Sequence, residues 1–210
     1  MNAGKHRGLS LLELMVTLLV GGIVLGVGVP NFMEFRDNNA MITQANDLVT
    51  GIYLARAEAV KRQQPVTVCM SANPQDLVPA CGIGPETGYI VFVDDIDPLI
   101  VAGTDGNAVF DDGETLLMQH AAPGGRIAFD GDSGYISFAG NGFVVPQATG
   151  QGLPSATTLL FCDHRGNSDT GGRSSARVVT ISPTGRPQIM QNQIDVANAA
   201  TTTGAICPYP

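Results

Sequence analysis

The sequence predicts an α+β protein: a long N-terminal helix, membrane-spanning in its first half and amphipathic in its second, packed on an antiparallel, β-rich head. Three observations carry the prediction. An apolar run from Leu9 to Val29 follows a short basic leader. In the stretch after it, apolar residues recur at three- and four-residue spacing, and beyond Pro65 short Val, Ile and Phe runs alternate with Gly, Asn, Asp and Pro.

Residues 1–8, with Lys5 and Arg7, are too short and polar to form structure and are read as a leader. The 21 residues from Leu9 to Val29 would, at 1.5 Å each, just cross a hydrocarbon core of roughly 30 Å. A secretory signal is the rival reading, but no Ala-x-Ala site directly follows the run, and the run is longer than such a signal needs. The run contains one carboxylate, Glu13, and an acid inside a spanning helix is costly enough to mark a functional position. Pro30 should kink the helix without ending it, because Ile42, Ala45, Val49, Ile52, Ala55 and Ala59 continue the helical period. Residues 30–64 are therefore the amphipathic continuation, stopped by Pro65.

The head, 65–210, shows strand patterns at 66–70, 89–93, 115–119, 126–129, 135–138, 143–145, 159–162, 177–181 and 188–190. The gaps are too short, or too aperiodic, for crossover helices, which favours antiparallel pairing in a sandwich or two small sheets resting on the amphipathic helix. The Ala- and Thr-rich tail after Ile194 reads as loop.

Charge narrows the function. After Leu9–Val29 and its leader, nine Lys and Arg face 18 Asp and Glu, a surface that repels nucleic acid unless basic residues segregate. Lys5 and Arg7 before the span put the N-terminus in the cytoplasm and the head in an oxidising compartment. Four cysteines permit three pairings; Cys69 with Cys81 and Cys162 with Cys207 are expected, the second stapling the tail. No Cys-x-x-Cys spacing suggests a metal site.

Arg7-Gly-Leu-Ser-Leu-Leu-Glu-Leu14 resembles the type III signal of type IV pilins and pseudopilins, a glycine before the cut and a glutamate fifth in the mature chain. Leu9 stands where most of that family has Phe. Ala55-Arg-Ala-Glu-Ala-Val-Lys-Arg-Gln-Gln-Pro-Val-Thr-Val-Cys69 is similar to the helix-to-strand junction of the GspH/FimT family, and Phe161–Gly166 and Ala176–Pro187 to its C-terminal signature. The middle, about 95–155, is left as insertion and loop. The resemblance implies a pilin-like minor pilin. It would be cut after Gly8 and methylated on Leu9 by a prepilin peptidase, held in the inner membrane by a single pass with its head in the periplasm, then packed with other minor and major pilins. Glu13 would set the register of subunits by pairing with the freed amine of a neighbour's Leu9. Pro30 and the junction lean toward the pilus branch; the alternative is the type II secretion pseudopilin H.

Other chemistry has less support. Some members of the FimT branch bind DNA during natural transformation through a C-terminal Gly-Arg-x-Arg, so the resemblance leaves a DNA-binding minor pilin for natural transformation as a further alternative. This chain has Gly185-Arg186-Pro187-Gln188, without the second arginine, and Arg186 and Arg177 are the candidate contacts for weak DNA binding. Asp94, Asp95, Asp97, Asp105, Asn107, Asp111, Asp112 and Glu114 form an acidic cluster that misses the EF-hand spacing and reads as a solvated hairpin loop. His120 and His164 lack any partner motif, so no enzyme, cofactor or small-molecule substrate is expected.

Overall fold

The computed structural model describes residues 10–82, 88–94, 106–111, 113–122, 127–131, 134–148 and 155–203. The chain divides into two compact units, Met1–Asn39 and Ala40–Pro210. Helix α1 runs Leu11–Arg62, within a residue or two of the predicted limits, and stays helical through Pro30. It stops where Gln63 turns to a left-handed φ of 57°, two residues before Pro65.

Strands β1 (Val66–Ser71), β2 (Gly88–Val93), β3 (Thr115–His120) and β5 (Tyr135–Phe138) form a four-stranded sheet in the order β3-β2-β1-β5. A second sheet holds β4 (Ile127–Gly131), β6 (Thr158–Asp163), β7 (Asp169–Thr170), β8 (Arg173–Ile181) and β9 (Pro187–Asn192). All pairings are antiparallel, as the short connections require. The middle of the chain is more than insertion, since its β5 pairs with β1 at Val66↔Phe138 through Cys69↔Tyr135.

The core forms where one face of α1 meets both sheets. Met41, Ala45, Leu48, Ile52, Ala55 and Ala59 pack with Val66, Val68, Val91, Ile136 and Phe138 of the first sheet and with Leu159, Phe161, Val179 and Ile181 of the second. The buried face is rotated from the predicted one: Met41 and Leu48 are inside, whereas Ile42 is 45 % exposed. Complete burial of each larger aliphatic residue contributes about 1.5–3 kcal/mol.

Each sheet is covered on its other face as well. Ile90, Phe92, Cys69 and Tyr135 lie against Ala108, Ala148, Phe110 and Leu116, with Phe92 and Phe110 edge to face at 5.3 Å. Burial on both sides explains why β1 and β2 are buried at every position instead of alternating. The second sheet is covered by a helix that the sequence reading took for loop, α2 (Gln193–Thr203). Val196, Ala199 and Ala200, at helical spacing, pack with Leu160, Cys162, Ala176 and Val178. Asn192 caps it by accepting the Ile194 N–H at 2.9 Å. The Thr residues discouraged a helical reading, but this apolar stripe and the local Ala content override their weak propensity. The predicted strand 143–145 reduces to a single bridge, Phe138↔Val144, flanked by Ala139 N–H to Phe143 O and Val145 N–H to Ser137 O.

The acidic cluster is not a simple solvated hairpin, because Asp94 is fully buried. Its carboxylate accepts from Thr67 Oγ1 at 2.8 Å, Ala108 N at 2.9 Å and Asn107 N at 3.1 Å, tying the following loop to β1. Asp95, Asp97, Asp105 and Asp112 lie outside the described residues. Burial pushes the Asp94 carboxyl above the ordinary range, against the lowering by those three donors.

Removing these acceptors leaves buried donors unpaired, so Asp94→Ala should cost about 2–3 kcal/mol in urea denaturation. The raised carboxyl binds its proton more tightly folded than unfolded. Its stabilisation is therefore greatest at low pH and is lost as pH rises through the raised pKa. Asp94→Asn should lack that loss in stability curves recorded across the mildly acidic range. Gly185 sits at φ +73°, with an added Cβ falling 2.8 Å from the Phe138 ring, so Gly185→Ala should cost about 1–3 kcal/mol in the same measurement.

Candidate functional site

The Met1–Asn39 unit presents apolar chemistry to its surroundings. Every described leucine, isoleucine, valine, methionine and phenylalanine from Leu11 to Phe35 is at least 44 % exposed. An 18-residue window here reaches a mean hydropathy of 2.3, and the helix is long enough to cross a membrane. An added Cβ at Gly21, Gly22, Gly26 or Gly28 would meet nothing within 4 Å. Among the described residues no contact requires these small residues; close approach by another helix would. The polar side chains of the stretch fold back on the helix: Thr17 Oγ1 donates to Leu14 O at 2.9 Å and Asn31 Nδ2 to Val27 O at 3.0 Å. Such back-bonding pairs the Thr17 hydroxyl and one Asn31 N–H within the helix.

Ser10 begins the helix. Its hydroxyl accepts the Glu13 N–H at 3.2 Å, and its carbonyl accepts the Leu14 N–H at 3.1 Å. Ser10-x-x-Glu13 is the serine and glutamate spacing of a capping box, a signal legible in the sequence and missed there. Glu13 thus lies in the first turn of α1, where the positive end of the helix dipole favours an anion. Gly8 and Leu9 lie outside the described residues.

The C-terminal arginines do not form one patch. Arg177 is buried, and its Nη1 donates to the carbonyls of Ser174 at 2.7 Å, Ala176 at 2.9 Å and Ser175 at 3.3 Å. These carbonyls belong to a bulge, where the β8–β9 register shifts between Arg173 and Val178. Burial and the neighbouring Arg165 push the Arg177 guanidinium down from its usual range. Arg165 grips the buried Asp163 through its backbone N–H at 2.9 Å and through its guanidinium, by Nε at 2.9 Å and by Nη2. Arg186 is exposed in the β8–β9 turn, where its N–H donates to Ser182 Oγ at 3.1 Å and its carbonyl accepts the Ser182 N–H at 3.1 Å. Arg173 and Arg186 lie toward opposite ends of β8, whose Arg173 and Ile181 pair with Asn192 and Pro187 of β9. Arg177 is thus occupied by backbone, and the turn that carries Arg186 lies against Arg56 of α1, whose Cδ would be 3.3 Å from a Cβ added at Gly185.

Cys69 and Cys81 are joined in a disulfide. Cys162 is also disulfide-bonded, while its expected partner Cys207 lies outside the described residues. Among the described residues no group of His, Cys, Asp and Glu is arranged to hold a metal ion. His120 stacks on Tyr89 at 4.8 Å, with Nδ1 2.9 Å from Ala121 O and Nε2 3.3 Å from Asp47 Oδ2. The Tyr89 hydroxyl donates to Asp47 O at 2.7 Å, so this cluster fastens the edge strand β3 and its neighbour β2 to α1. Burial first, and the Asp47 charge second, raise the Tyr89 phenol. Gly51 makes room for the ring: an added Cβ would lie 2.7 Å from it.

Comparison with known proteins adds the following. Residues 44–185 match the family model described as type II transport protein GspH, and residues 4–29 match the prokaryotic N-terminal methylation motif. Crystal structures of the type IV minor pilin FimU from Pseudomonas aeruginosa (strain PAO1) are similar at 20 % identity. In space group P21 the TM-score is 0.45, over 74 % of this chain and 92 % of that one; in P65 it is 0.41, over 70 % and 90 %. No curated protein matches the sequence significantly. Since the GspH model covers more than half of the sequence and the methylation motif covers its start, the chain belongs to the GspH family of type IV pilin-like minor pilins and pseudopilins.

Proposed function

We propose that the chain is a minor pilin of a type IV pilus, processed by a prepilin peptidase and built into the filament at or near its tip, where it supports assembly. The supporting observation is the stretch Leu11–Phe35, whose apolar side chains are exposed and whose glycines are open among the described residues, with the Glu13 carboxylate at its capped start. On this reading residues 1–8 are removed, 9–29 span the inner membrane with the head in the periplasm, 30–64 continue the helix beyond Pro30, and 65–210 are the head.

The outer side of α1 in the Ala40–Pro210 unit supports the same reading. Ile42, Tyr53 and Val60 are 45 %, 49 % and 45 % exposed and, with half-buried Val49, make a second apolar stripe beside the buried one. Steps of seven, four and seven residues match the seam of a helix packed on a neighbouring helix.

Glu13 has two successive settings in this scheme. Before assembly it lies in the first turn of its own helix, beside the Ser10 cap. In the filament the freed amine of a neighbour's Leu9 becomes its partner. An ion pair in apolar surroundings then penalises every register in which the charges do not meet.

The description of the matching family favours a second reading, the type II secretion pseudopilin H. Deleting the gene separates the two: loss of surface pili with secretion intact supports the pilus, and the reverse supports the secretion system. No catalytic role or cofactor is proposed. DNA binding is not proposed either, because Arg177 is committed to backbone carbonyls on an acidic chain.

Intact mass of the membrane-extracted protein should show loss of Met1–Gly8 and gain of one methyl group; an uncut leader, or cleavage beyond Val29, overturns the pilin reading. Glu13→Ala should still be cut, yet its recovery in sheared filaments should fall at least tenfold. Ser10→Ala, which loses a cap worth about 1 kcal/mol, should fall between wild type and Glu13→Ala.

A further inference from the structure

The most exposed large apolar residues of the Ala40–Pro210 unit, among those described, are neighbours: Leu77 at 102 % and Val78 at 74 %. They form the tip of the loop closed by the Cys69–Cys81 disulfide. That loop is braced. Asn73 Oδ1 accepts from Ala80 N at 2.9 Å and from Ser71 Oγ at 3.2 Å, and Asn73 Nδ2 donates to Asp76 Oδ2 at 2.9 Å. Asp76 N donates to Asn73 O at 3.1 Å, while Gln119 Nε2 reaches from β3 to Asp76 O at 3.2 Å. Pro74 and Pro79 are buried on either side of the tip. A floppy loop could fold two aliphatic side chains away from water; this one holds them out, so little ordering remains to be done on contact.

We propose that Leu77 and Val78 seat in an apolar socket on the head of a neighbouring pilin-type subunit of a different sequence. The proposal rests on the pilin reading above, and three observations choose the occupant. Two side chains bury far less than the roughly 1,200 Å² of a specific free complex, so the contact suits heads already brought together by their helices, where a small contact is enough. The pocket beside the tip on this chain, lined by Ala72, Asn73, Pro74, Gln75, Asp76, Ala121 and Ala122, carries the Asp76 carboxylate, which would face the same acid beside an incoming tip and makes this pocket of a second copy a poor receptor. Asp76 beside the tip and the net charge of −8 call for a socket with a basic rim.

The test places a photo-cross-linking amino acid, p-benzoylphenylalanine, at Leu77 or, separately, at Ile23 of the full-length chain in cells that assemble its filaments. The Leu77 probe should link to a different chain that carries its own methylation motif, at a peptide outside that chain's N-terminal apolar helix. Leu77→Asp with Val78→Asp should lower recovery in sheared filaments at least tenfold while membrane levels and the Cys69–Cys81 bond persist. If that variant fails to accumulate, Leu77→Ala with Val78→Ala decides, with a fall of threefold or more expected. A Leu77 probe that links to lipid, to a second copy or to nothing, while Ile23 links to pilin-type helices, overturns this proposal and leaves the pilin reading standing. Unchanged filament recovery in the variants also overturns it. If Ile23 links to no pilin-type chain, the pilin reading falls and this proposal with it.

Discussion

One helix face holds the head together. Met41, Ala45, Leu48, Ile52, Ala55 and Ala59 meet both sheets at once, so the core that the two sheets share is built on α1. Small residues at 45, 55 and 59 let strands approach the helix, while Met41, Leu48 and Ile52 fill the space between them at interior density. The same helix carries, at its other end, the exposed apolar surface of Leu11–Phe35, so on the proposed reading the fold of the head and assembly share one element.

Polar anchors inside the head fix what the apolar core leaves free. Asp94 ties the loop after β2 to β1, Arg177 gathers the carbonyls of the β8 bulge, and Asp163 holds Arg165. Each meets the requirement that a buried polar group be hydrogen-bonded, and among the described side chains no buried nitrogen or oxygen is left without a partner. The cost of this use is that the charges are unavailable for other work. An arginine that reads as a candidate nucleic-acid contact in the sequence is spent on backbone in the fold.

How much was legible depends on whether a signal is local. The helix limits, most of the strands and their antiparallel pairing follow from periodicity and turn residues, which act over a few positions. The Ser10 cap was equally local and was overlooked for the conspicuous Glu13 beside it. Helix α2 was missed because its apolar stripe is only Val196, Ala199 and Ala200, too short to stand out until the second sheet provides a surface for it. The rotation of the buried face from Ile42 to Met41 and Leu48 was not legible, since both faces of that helix carry apolar residues and only the sheets choose between them.

By itself the sequence determined the basic start, the long apolar run with its single acid, and the alternation of strands and turns, because these depend on composition and on spacing along the chain. Tertiary structure alone decided which charges face inward, which side of α1 meets the sheets, and that Leu77 and Val78 stand out in water. These depend on residues far apart in sequence: Thr67 with Asp94, Phe138 with Gly185, Gln119 with Asp76. No local pattern encodes such a meeting, because the free energy of burying a group is set by everything that surrounds it once the chain has closed.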